Sequence, residues 1–339
     1  MSTATITNSL HAFLEPLAQE RKFSGAILSS MNGRILFSQG YGEANLELGV
    51  PNTPQTRFRI GSITKTFTST AVMQLIGQGL IKLEDTIDRY FPDQQGGTGI
   101  TIHHLLTHTS GIPSYTADPS MAQWCAQSCT PRELAERFMD RQLEFAPGER
   151  YAYSNSGYTL LGLLIEQVSG QPYGEYLKQH IFEPAGMTKT QVDDPGMIIP
   201  MRAAGYHTAE DGALLNAPYF DISNAFAAGS ILSTVEDMHL WDLALASDAL
   251  LDASLKEQMF TPYATDSEQG YDYGYGWIIQ ESPYGRIAAH SGGIPGFTSL
   301  LMRFLETGVT LHVLSNILQD INPISQAAAD IIHKELNPA

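Results

Sequence analysis

Apolar positions along the chain mark the first elements. Leu10, Phe13, Leu14 and Leu17 recur at helical spacing behind Asn8 and Ser9, which are candidates to cap a helix. Two strand-like runs follow, at 25–29 and 34–38. The Asn32-Gly33 pair between them suits a tight hairpin turn with positive φ. Near the other end, 276–280, 286–290, 298–304 and 309–314 read as strands joined by short Gly- and Pro-containing turns. A last helix places Ile324, Ala327, Ala328, Ile331 and Ile332 on one face. From about Ser62 to about Asn224 the pattern changes to helical runs, at 67–80, 131–141, 158–169 and 173–181, separated by Gly/Pro loops with few strand signals.

The simplest architecture is an α/β (α+β) fold. A mostly antiparallel sheet is assembled from both chain ends, with the terminal helices flanking it and a mostly helical part inserted between. The expected division is an α/β part at 1–61 and 225–339, discontinuous in sequence, and a helical part at 62–224. A cleft between them is the natural site.

Composition narrows the function classes. The chain has 339 residues, of which 43% are hydrophobic and 16% charged, enough apolar content to bury a core and too much for a disordered chain. A formal charge of −17 at pH 7 disfavours nucleic acid and anionic membrane surfaces as partners, since both require clustered Lys and Arg. A small molecule or short peptide is the expected ligand. No apolar stretch approaches the roughly 20 residues needed to span a bilayer. The amino terminus lacks the basic start and apolar run of a secretory signal, so it reads as cytoplasmic sequence. The two cysteines, Cys125 and Cys129, are too few for a disulfide framework and are expected to be free and buried.

Chemistry enters at Gly61-Ser62-Ile63-Thr64-Lys65, at the start of a predicted helix. A lysine three residues after a serine lies one turn along the same face, within reach of the serine oxygen, where it can take the proton that makes serine a nucleophile. To do so it must be neutral. Burial or a neighbouring cation must then lower its pKa from about 10.4. Alone, this spacing also fits a helix cap with a solvated lysine. Two further motifs, Tyr153-Ser154-Asn155 and His290-Ser291-Gly292-Gly293, give it weight.

With these three motifs in order, the sequence resembles the serine β-lactamase and penicillin-binding superfamily. The likeness is to the branch of class C β-lactamases, D-alanyl-D-alanine carboxypeptidases, D-amino-acid peptidases and related esterases. The run at 105–111, the segment 145–155, the stretch 228–234 and Pro295-Gly296-Phe297 extend it over nearly the whole chain. The resemblance implies a β-lactamase/transpeptidase-like fold and a serine hydrolase that needs no cofactor or metal. It implies that Ser62 is the nucleophile, Lys65 its proton acceptor or the group that tunes it, Tyr153 the relay to the leaving group, and Asn155 the residue that orients Lys65 and substrate, with either Lys65 or Tyr153 as the base in each half-reaction. Tyr153 would act as a base only where a cation such as Lys65 stabilises its phenolate. The backbone N–H groups of Ser62 and Gly293 would form the oxyanion hole, with Ser291 and Gly292 beside the substrate.

At His290 this chain departs from the β-lactamase pattern, which places a lysine there. A histidine with a pKa near 6.5 is about a quarter protonated at pH 7. The expectation is therefore pH-dependent carboxylate capture, aided by Ser291, and a preference for peptidase or esterase activity with weak β-lactam hydrolysis. The alternative is a penicillin-binding sensor or scaffold that is acylated but turns over little.

Other readings have less support. An α/β-hydrolase is disfavoured because no Gly-x-Ser-x-Gly elbow occurs. His103, His104 and His108 lack the His-Glu-x-x-His zinc spacing, and packing with loop hydrogen bonding is expected of them. The aromatic stretch 271–277 fits an acyl pocket or an ordinary sheet edge equally. Nothing in the chain indicates an oligomeric state.

Overall fold

The first helix, α1 (Thr3–Gln19), starts before the cap positions read from the sequence, so Asn8 and Ser9 lie inside it. Ser9 Oγ donates instead to Glu335 Oε1 at 2.8 Å and ties the two terminal helices together. The structure, a computed structural model, describes residues 3–337. After α1 come β1 (Gly25–Met31) and β2 (Arg34–Tyr41). Asn32 and Gly33 both have positive φ, 50° and 80°, as the expected two-residue turn requires.

The carboxy-terminal half supplies β3 (Ala264–Asp266), β4 (Tyr271–Tyr273), β5 (Ile278–Ser282), β6 (Gly285–Ile294), β7 (Phe297–Phe304) and β8 (Val309–Ser315). With β1 and β2 they form an antiparallel eight-stranded sheet ordered β3-β4-β5-β6-β7-β8-β1-β2. The two chain ends thus meet one strand in from an edge of the sheet, where Ile27 pairs with Val313. Alternation along the strands fills two cores. Ile27, Leu311 and Val313 face α1 and the final helix (Asn322–Leu336), where Leu10, Leu14, Ala328 and Ile332 close one layer. Ala26, Leu28, Leu301 and Leu314 face the other way, onto the helical part.

At the centre of that second core lies α2 (Thr64–Gly77), preceded by a 3₁₀ turn over Gly61–Ile63. Every residue from Thr64 to Met73 is buried, so the helix is surrounded on all sides. Its hydroxyls are satisfied internally, for example Thr68 Oγ1 on the Ala227 carbonyl at 2.7 Å. Next to it packs α3 (Asn155–Ser169), closed by Gly170 in the left-handed conformation. The helical run expected at 131–141 is shorter than read, Pro131–Glu136, whereas 173–181 is helical throughout, Tyr173–Leu177 passing through a π turn at Lys178–Phe182 into Glu183–Ala185. Short strands at Gln191–Val192, Tyr206–Thr208 and Leu214–Asn216 also fall in the stretch with few strand signals. Two or three residues are too few to show a period.

Candidate active site

Ser62 is presented by the turn that leads into α2. Its position depends on Gly61, whose φ of +51° suits glycine and whose missing Cβ would stand 2.9 Å from the Gly293 backbone nitrogen. One turn on, Lys65 is fully buried. Its Nζ lies 3.0 Å from Ser62 Oγ, 2.7 Å from Asn155 Oδ1 and 2.8 Å from the Ala228 carbonyl oxygen. Burial drives its pKa well below the ordinary lysine value. A neutral amine has two N–H groups and one lone pair. The two amide oxygens can only accept, so they take both N–H groups and leave the lone pair facing the Ser62 hydroxyl.

Asn155 opens α3 and is held from both sides. Its Nδ2 donates to Thr116 Oγ1 at 3.0 Å and its backbone N–H to Ser114 Oγ at 3.1 Å. Tyr153 is 37% exposed, with its ring centroid 4.8 Å from Lys65 Nζ and its side chain in hydrogen-bonding contact with Ser62. Desolvation holds the phenol above its usual range, the Ser62 contact opposes that shift, and water at the exposed face moderates it. Phenol is therefore the resting form. Burial disfavours the charged form of Lys65, which weakens the cation expected to stabilise a phenolate.

His290 lies on β6 with only 2% of its surface exposed. Its Nδ1 is 2.6 Å from the Ser291 carbonyl oxygen, which only accepts, so Nδ1 carries the proton and Nε2 accepts from the Tyr273 hydroxyl at 2.9 Å. Burial lowers its pKa to about 3. The partly protonated histidine expected from the sequence is thus replaced by a neutral one at every physiological pH. Ser291 projects from the opposite pleat and lines a separate cavity with Tyr271, Gln280 and Asn322, away from Ser62. Gly292 packs so tightly that a Cβ would lie 2.0 Å from the Ile60 carbonyl oxygen. Gly293 has open space on its Cβ side and lines the Ser62 cleft.

Two residues outside the expected set support this arrangement. Tyr273 holds His290, and burial raises its own pKa well above the phenol range. His108 is buried with φ +57°. Its Nδ1 accepts the Ser154 N–H and its carbonyl oxygen the Ala152 N–H, so it grips both neighbours of Tyr153. The other two histidines of that run turn elsewhere, His103 to the Tyr275 hydroxyl and His104 to the Thr101 N–H. Tyr271, Tyr273, Tyr275 and Trp277 do not line the cleft, so the acyl-pocket reading of 271–277 is not what the fold builds.

The cleft beside Ser62 has a volume of about 300 Å³. One wall carries Cys125; it and the nearby Cys129 are both free and half-buried. Asn224 fastens this wall, its Nδ2 donating to the Cys125 and Gln127 carbonyls while its Oδ1 accepts from Cys129 Sγ at 3.2 Å. Among the described residues, no helix is long and apolar enough to cross a membrane.

Known proteins resemble this chain in sequence and fold over most of its length. A penicillin-binding protein of Bacillus subtilis (strain 168) is 32% identical over 330 residues, covering 92% of this chain and 72% of the relative. The octameric penicillin-binding protein homologue from Pyrococcus abyssi superposes with a TM-score of 0.85 at 30% identity, covering 96% of this chain and 77% of that one. The D-amino acid amidase from Ochrobactrum anthropi SV3 gives a TM-score of 0.85 at 27% identity, covering 97% and 99%. The beta-lactamase family model matches residues 10–332. The chain therefore belongs to the beta-lactamase family and is a serine hydrolase of the β-lactamase and penicillin-binding superfamily.

Proposed function

We propose that the protein hydrolyses esters or amides through an acyl-enzyme on Ser62, in the manner of a carboxypeptidase, D-amino-acid peptidase or esterase, with weak β-lactam hydrolysis. The observation that carries this reading is the buried Lys65, whose Nζ lies 3.0 Å from Ser62 Oγ and whose pKa burial drives well below the ordinary lysine value.

In the first half-reaction Lys65 Nζ takes the Ser62 proton as Oγ bonds to the substrate carbonyl carbon. The oxyanion then forms between the N–H groups of Ser62 and Gly293, an arrangement typically worth about 3–4 kcal/mol of barrier per donor. Tyr153 passes the proton from Lys65 to the leaving oxygen or nitrogen as the carbonyl-to-leaving-group bond breaks. Water enters by the reverse route: it loses a proton to the same pair, attacks the Ser62 ester, and the proton returns to Oγ as the acid departs. The four groups come from both parts of the chain, 1–61 with 225–339 and 62–224, which on this reading work as one catalytic unit.

Short-chain p-nitrophenyl esters and D-amino-acid peptides test the proposal. It requires sustained turnover of at least one of them, lost in Ser62→Ala. A single burst without turnover would favour a penicillin-binding sensor instead.

A further inference from the structure

The cleft beside Ser62 carries no side chain with a formal charge: none of the residues lining it is Asp, Glu, Lys, Arg or His. Beyond Ser62, Asn155 and three other neutral polar residues, Thr116, Cys125 and Asn224, its lining side chains are apolar or aromatic, with Tyr115, Met121, Phe220 and Ile294 prominent. The groups behind the reacting serine offer little charge to a ligand. Lys65 is fully buried, which disfavours its charged form, and its Nζ is engaged with Ser62, Asn155 and the Ala228 carbonyl, while His290 has both ring nitrogens committed to Tyr273 and the Ser291 carbonyl.

The nearest carboxylates in sequence are spent elsewhere. Asp118 pairs with Arg141. Asp221 accepts from the Ser223 N–H, the Ser223 hydroxyl and the Tyr219 hydroxyl. Tyr115 is turned by its hydroxyl to the Asn224 carbonyl at 2.6 Å and so presents ring rather than oxygen to the cavity.

A charged substrate group entering such a space would lose water and gain no counter-ion. An alkyl or aryl group would gain by leaving water. We infer that this cavity is an acyl pocket for an uncharged, apolar acyl group, so that the natural substrate is an ester or amide of a neutral carboxylic acid. It carries neither a free carboxylate nor a free ammonium on the acyl side. This inference rests on the acyl-enzyme reading above and narrows it, setting aside a peptidase whose acyl group is a free D-amino acid. The volume of about 300 Å³ lies at the small end of ligand pockets, matched to a short or medium acyl group.

The test is a series of p-nitrophenyl esters with one leaving group and varied acyl groups: acetate, butyrate, hexanoate, the half-ester of succinic acid, and 4-aminobutyrate. Expected is a rise in kcat/KM of about threefold to fourfold per added methylene from acetate until the cavity is full. Butyrate should exceed both charged esters of similar length by about 100-fold. Met121→Lys and the more exposed Ala122→Lys should each narrow the gap between butyrate and succinate at least tenfold, without helping 4-aminobutyrate. Equal or faster turnover of either charged ester by the unmodified protein would overturn the inference. So would a gap that neither lysine variant changes while both remain folded by circular dichroism. No turnover of any ester, with no acyl mass on Ser62, would instead overturn the acyl-enzyme reading on which it rests.

Discussion

The imidazole of His108 lies 4.3 Å, centroid to centroid, from the ring of Tyr153 and receives the Ser154 N–H on Nδ1 at 3.1 Å. With the Ala152 N–H on its carbonyl oxygen, His108 fixes the backbone on both sides of the tyrosine. A left-handed backbone at a non-glycine residue is costly and persists only where the surroundings enforce it. His108 is thus a positioning residue for Tyr153. His108→Ala should lower kcat by about 10- to 100-fold with KM nearly unchanged, as expected when a proton relay is misplaced while substrate binding is preserved. His108→Asn, which keeps an acceptor for Ser154, should recover part of that rate. Steady-state kinetics of the two variants check this.

Lys65 serves as the base only because burial keeps it neutral. The rate of Ser62 acylation should rise with pH through the lowered pKa of Lys65 and reach its plateau well below pH 10.4. Lys65→Ala should reduce kcat/KM by about 100- to 10,000-fold. Lys65→Arg should not restore activity, because a guanidinium cannot be deprotonated in a protein. A pH–rate profile of the unmodified protein, with single-pH rates for both variants, measures this.

His290 stays neutral above about pH 3. The ratio of rates for carboxylate-bearing and neutral substrates should therefore be flat from pH 7 down to pH 5. A gain for the carboxylate substrate at pH 5–6 would mean that His290 charges in the working enzyme.

His312, buried at the middle of β8, has neither ring nitrogen hydrogen-bonded among the described residues. Burial lowers its pKa to about 3, with smaller contributions from His239 and Arg303. Its native form is neutral, whereas the unfolded chain takes up a proton near pH 6.5. Stability is therefore lost as the pH falls from about 6.5 toward 3, by about 2 kcal/mol from this residue at pH 5. His312→Leu should remove that share of the acid sensitivity and cost little at pH 7, where no hydrogen bond is broken. Urea unfolding at pH 7 and pH 5 gives both numbers.

Gly292 leaves no room for a side chain, since a Cβ would meet the Ile60 carbonyl at 2.0 Å and Ser299 Oγ at 2.4 Å. Gly292→Ala should push the turn carrying Ser62 away from β6. A lower kcat together with a lower melting temperature is the expected result, read from kinetics and a thermal melt.

Much of this site is legible in the sequence because its signals are local. Ser62 and Lys65 are one helical turn apart, Asn32-Gly33 announces its own turn, and the apolar period locates β1, β2, β6, β7 and β8. The state of His290 is not legible. Its pKa depends on β4 lying across β5 from β6, and no spacing in the chain reports that neighbour. The expectation for Ser291 fails for a related reason: alternation along β6 sends it to the opposite pleat from His290. The part played by His108 lies hidden inside a recognisable segment, because a clamp on backbone groups more than forty residues away leaves no pattern. The absence of charge from the cleft emerges only when residues from five stretches, at 62 and near 115–125, 155, 220–229 and 293–295, are brought together.

The central claim is that Ser62, activated by a neutral Lys65, becomes covalently acylated. Rapid-quench intact-mass analysis with p-nitrophenyl butyrate, followed by peptide mapping, tests it most directly. The account predicts an added butyryl mass on Ser62 that appears faster than it decays at early times, is absent in Ser62→Ala, and forms at least 100-fold more slowly in Lys65→Ala. Hydrolysis at full rate with no adduct, or an adduct at another residue that survives in Ser62→Ala, would contradict it.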